Sequence, residues 1–90
     1  MSQPAAAANS PDFETTCRQI VYAERRAVTA QAEHVVSPTG FTARRLAVAK
    51  DCMARYTDAA HHGLKDLGVT SRLDREVAIT IRTRALRGSI

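Results

Sequence analysis

The feature that most constrains this chain is a run of apolar and small residues, Leu46, Ala49, Met53, Tyr56, Ala60, Gly63 and Leu67, which alternates steps of three and four without a fault. Steps of that size return to one side of an α-helix every two turns, so the run is a heptad seam. Cys52, Ala59 and Leu64 widen it until one neighbouring helix cannot cover it. Alanine and glycine along the seam predict close helix approach, with Met53 and Tyr56 filling the middle. Gly68, just past Leu67, predicts a left-handed cap that ends the helix.

Upstream, Phe13, Cys17, Ile20, Val21, Ala27, Val28, Ala32 and Val35 also recur at helical spacing, with Glu24 and Gln31 at the edge of the stripe. Ser10-Pro11-Asp12 supplies a cap candidate, a first-turn proline and a negative charge at the positive end of the helix dipole. Ser37-Pro38-Thr39-Gly40 stops the helix, because the residue before a proline avoids the helical region. A linker this short predicts an antiparallel hairpin. With Val35 beside Thr42, Val28 faces Ala49, Val21 faces Tyr56 and Cys17 faces Ala60. Cys17 and Cys52 then lie eight positions apart, roughly 12 Å along the helix, too far for a disulfide. Both are expected to be small buried hydrophobes. Residues 1–10 hold no large apolar side chain except Met1 and read as a disordered tail.

A third segment opens at Thr70-Ser71, with Asp74 placed to close a capping box. Leu73, Val77, Ile81 and Ala85 form its expected inner stripe, with Ala78 beside them. Residues 77–83 are rich in β-branched side chains, so a strand is the alternative there. On this phase Ile79 and Leu86 lie off the inner stripe. Ringed by Arg75, Arg82 and Arg87, they form the predicted partner-binding surface. The fold class is therefore all-α, one domain over residues 11–90, with helices at about 11–36, 40–67 and 71–87. The wide face of the second helix (Leu46, Ala49, Met53, Tyr56, Ala60, Leu64, Leu67) is expected to complete the bundle by homodimerisation.

The net charge is +4, and it is uneven: residues 70–90 carry five arginines against two acids. That favours an acidic partner or nucleic acid, the latter through Arg72, Arg75, Arg82, Arg84 and Arg87. The stretch from Asp66 to Gly88 resembles the second half of a helix-turn-helix, with Gly68 as its turn glycine. The likeness fails where Leu64 replaces a small residue and Asp74 takes a core position, which would bury a carboxylate.

Chemistry is harder to place. Adjacent His61 and His62 point about 100° apart on a helix and cannot share one ion, so no metal site is expected. Cys52 lies about ten residues, roughly 15 Å, from His62, which removes that nucleophile and base pair. No glycine loop for phosphate and no carboxylate pair in a seam is present. The expectation is a non-enzymatic protein-interaction module without cofactor, a regulator of anti-activator, adaptor or inhibitor type, with transcription one setting. No apolar run reaches membrane-spanning length and the first residues do not read as a secretion signal, so a cytoplasmic location is expected.

Overall fold

A computed structural model describes residues 11–90 and places them in three helices, α1 (Pro11–Val36), α2 (Gly40–Asp66) and α3 (Arg72–Ser89). Residues 77–83 are helical throughout, and no strand occurs among the described residues. The expected tail and the Ser10 cap lie outside them.

The α1–α2 turn is short because its polar groups are satisfied locally. Thr39 caps α2: its side chain accepts from the Thr42 amide at 3.1 Å, and the Thr42 hydroxyl accepts from the Thr39 amide at 2.9 Å. Thr42 Oγ1 also donates to the Ser37 carbonyl at 2.7 Å and sits 2.8 Å from His34 Nδ1. This contact sets the hairpin register one residue away from the predicted Val35–Thr42 pairing. At the other end Gly68, at φ 97°, closes α2 in a Schellman motif: its amide donates to Lys65 O and that of Val69 to Leu64 O, both at 3.0 Å. Leu64 and Val69, the residues this motif brings together, are both buried.

From that turn α3 runs back along the hairpin. The core gathers where all three helices meet: Phe13, Cys17, Ile20 and Val21 from α1, Ala60 and Leu64 from α2, Val69 from the turn, and Ile79 and Leu86 from α3. At the 1.5 Å helical rise the 18 residues of α3 span about 27 Å and the 27 of α2 about 40 Å, so α3 leaves the α1–α2 tip uncovered. The described residues form a rod of 51 × 24 × 19 Å.

Three predicted faces are corrected. In α1, Val28 and Val35 point outward, each 70% exposed, while Ala23 and Ala30 are buried. Beyond Val21 the buried positions of α1 are held by Ala23 and Ala30, and the two valines lie on the outer side of the helix. In α2 the seam holds for Ala49, Ala60 and Leu64, which are buried, and for Leu46, Met53 and Tyr56, which are half-buried; Leu67 is exposed. Gly63 is exposed too, and a Cβ added there would meet nothing within 4 Å, so this glycine is not a point of close approach.

The phase of α3 is corrected most. Ile79 and Leu86, 7% and 5% exposed, face the core, whereas Leu73, Val77 and Ile81 are 68%, 48% and 62% exposed. A row of strict four-residue steps turns about 40° per step, so residues 73, 77, 81 and 85 slant across about 120° of the helix, all on its outer side. Residues 75, 79, 82 and 86, at steps of four, three and four, stay on one side. Two of these are arginines and Thr83 lies beside them, so a hydropathy reading passes this seam over.

Candidate functional site

The surface predicted for a partner is taken up within the chain. Ile79 and Leu86 are core residues, and the arginines around them are engaged. Arg82 Nη2 meets Glu14 Oε1 at 2.6 Å, and Arg87 pairs with both Glu24 oxygens at 2.6 and 2.8 Å. The Glu24 hydrogen bond is the first cause of an Arg87 pKa above its ordinary value. Arg75 donates to the carbonyls of Val69 and Thr70 at 3.0 and 2.8 Å and to His61 Nδ1 at 3.3 Å. Arg72 pairs with Glu76 on its own helix at 3.1 Å. Of the five arginines predicted to touch nucleic acid, Arg84 alone has no ion pair or side-chain hydrogen bond among the described residues. Asp74 is exposed in the first turn of α3, its amide bonded to the Ser71 cap, rather than in a core position.

The free positive charge lies elsewhere. Two Arg-Arg pairs that are 19 positions apart in sequence, Arg25-Arg26 and Arg44-Arg45, line one groove of about 540 Å³ between α1 and α2. Its other walls are Thr29, Ala30, Phe41, Val48, Ala49 and Cys52, and α3 contributes nothing to it. Phe41 and Val48 are exposed, at 67% and 58%. Arg45 lies 5.7 Å over the Phe41 ring and 3.5 Å from Glu33, a weak exposed pair. Arg25, Arg26 and Arg44 have no carboxylate partner among the described residues.

The chain matches no protein-family model, no curated protein and no solved structure.

The groove therefore has to be read from its own chemistry. It is an apolar floor bordered by guanidinium groups, the complement of a ligand with one greasy face and carboxylate or phosphate edges. Sequence reasoning passed over it because charge was summed along the chain, whereas the hairpin adds charge across it. The repeated Arg-Arg pair, folded on the predicted hairpin, was the available signal. Both cysteines are free. Cys17 is fully buried, and burial pushes its thiol pKa from 9.0 up to about 11, against the opposing charge of Arg82 and with a smaller contribution from Glu14. It is thus an un-ionised core residue at neutral pH. Cys52 is half-buried in the groove wall. Among the described residues no three His, Cys, Asp or Glu side chains converge as metal ligands, and no helix is long and apolar enough to cross a membrane.

Proposed function

We propose that this chain is a non-enzymatic protein-interaction module, a small cytoplasmic regulator that binds an acidic, amphipathic helical segment of a larger protein in the groove between α1 and α2. The observation that carries the reading is the convergence of Arg25, Arg26, Arg44 and Arg45 around Phe41, Val48 and Ala49 where α3 does not reach. A partner helix laid there would extend the bundle past the end of α3. Its apolar side chains would cover Phe41 and Val48 while its carboxylates met the arginines, a helix-in-groove arrangement.

Nucleic acid is the competing class of partner. A duplex backbone is read by phosphate contacts and has little use for an apolar floor with an exposed Phe and Val. On α3 only Arg84 is left to offer it. Anisotropy titration of a labelled twenty-residue helix with leucines on one face and glutamates on the other separates the two. The glutamate peptide should bind, its glutamine counterpart and a random DNA duplex should bind far more weakly, and Arg25→Glu with Arg44→Glu should abolish binding. Preference for the duplex, with affinity falling steeply in salt, would replace this reading by nucleic-acid binding.

A further inference from the structure

The outward face of α3 holds a second, separate surface. Leu73, Val77 and Ile81 stand on it at 68%, 48% and 62% exposure, with Ala85 continuing the row. An apolar ridge of four-residue steps is the kind that interdigitates with another like it. Two charges border the ridge, both exposed and both without an ion pair among the described residues: Asp74 in the first turn and Arg84 near the other end. The remaining arginines of α3 are committed to Glu14, Glu24, Glu76 and the Val69–Thr70 carbonyls.

We propose that this face is where the chain associates with a second copy of itself, the two α3 helices lying antiparallel about a two-fold axis at the level of Ile79. In that register residues whose numbers sum to 158 lie opposite one another. Val77 meets Ile81 of the second copy, Leu73 meets Ala85, so that large faces small, and Asp74 meets Arg84. The axis repeats each contact, so an acid and a base ten positions apart on one helix become two salt bridges. A parallel pairing would set Asp74 against Asp74 and Arg84 against Arg84, and like charges select against it. This surface takes nothing from the groove, and self-association leaves the groove open. It also replaces the α2 face as the dimer surface, because Ala49, Ala60 and Leu64 are already buried within one chain.

One face of an 18-residue helix covers well under the roughly 800 Å² per partner of a standard interface, so the dimer is weak and dissociates on dilution. Sedimentation equilibrium across a concentration series tests this with two charge reversals, Asp74→Arg and Arg84→Asp. The wild-type chain should pass from monomer to dimer as concentration rises. Each variant alone, with helicity unchanged, should dissociate about tenfold or more readily, because both contacts become repulsive. The two variants mixed in equal amounts should recover the wild-type mass, since only the mixed dimer sets an arginine opposite an aspartate at both contacts. Val77→Arg, at an exposed position, should be monomeric alone and in any mixture. A wild-type chain that stays monomeric at the highest concentration overturns the proposal, as does a dimer indifferent to both reversals or a mixture that shows no recovery.

Discussion

Leu64 is the largest fully buried side chain among the described residues. It has no exposed surface, it lies within the α2 seam, and its carbonyl closes the Schellman turn that sends α3 back along the hairpin. Leu64→Ala should cost about 2–5 kcal/mol, and a domain this small has little stability to spare. Chemical denaturation measures the loss directly; a change under about 1 kcal/mol would mean that the site collapses around the gap. Cys17 makes a different prediction at the same scale. Its folded pKa, about 11, lies above its ordinary 9.0, so the folded state holds the thiol proton more tightly. Its contribution to stability is therefore full below about pH 9 and is lost as pH rises toward 11. Cys17→Ser, a buried hydroxyl in place of a thiol, should be less stable at neutral pH, and its stability should fall less steeply through that alkaline window. At neutral pH a thiol reagent should label Cys52 first and reach Cys17 only on unfolding.

The elements are joined by unequal means. The α1–α2 hairpin is fixed by the Thr39–Thr42 capping box and the His34–Thr42 contact, so Thr42→Val, which keeps the Thr39 cap but removes the hydroxyl's bonds to the Thr39 amide, the Ser37 carbonyl and His34, should lower stability by about 1 kcal/mol in thermal or urea melts. Docking of α3 combines apolar contact with long-range ion pairs, Arg82–Glu14 and Arg87–Glu24. Arg82 is about one-third exposed and its Nε is buried without a partner, so desolvation takes back part of what the bridge supplies. A double-mutant cycle on Arg82→Met and Glu14→Gln should give a coupling of about 0.5–1 kcal/mol, diminished by salt. How far an element was legible depended on how its buried face was built. The α2 seam is made of apolar side chains at regular steps and could be read directly, from Ala49 to Leu64. The α3 seam is made of Ile79 and Leu86 together with Thr83 and the stems of Arg75 and Arg82. Its stronger hydropathy signal, from Leu73, Val77 and Ile81, lies on the outside.

At the scale of the whole molecule, a short helix laid on a long hairpin produces two halves of different character, a three-helix core around Leu64 and a two-helix tip around Phe41. A chain ending at Gly68 loses Val69, Ile79 and Leu86 from that core, so it should lose cooperative melting, with low residual helicity by circular dichroism, because a bare hairpin cannot bury its seam. Arg25→Glu with Arg44→Glu should leave thermal stability nearly unchanged, since both side chains are exposed and unpaired among the described residues. The amino-acid sequence by itself determined the first two helices, their ends at Ser37-Pro38 and Gly68, the hairpin and most of its seam, and left residues 77–83 open between helix and strand. Those features follow from local capping, turn chemistry and side-chain periodicity, all confined to neighbouring positions. Only the tertiary structure decided which face of α3 turns inward and where uncompensated charge collects. Both depend on contacts between residues far apart in the chain: Glu14 and Glu24 neutralise Arg82 and Arg87, while the hairpin gathers Arg25, Arg26, Arg44 and Arg45 around a floor that α3 does not cover.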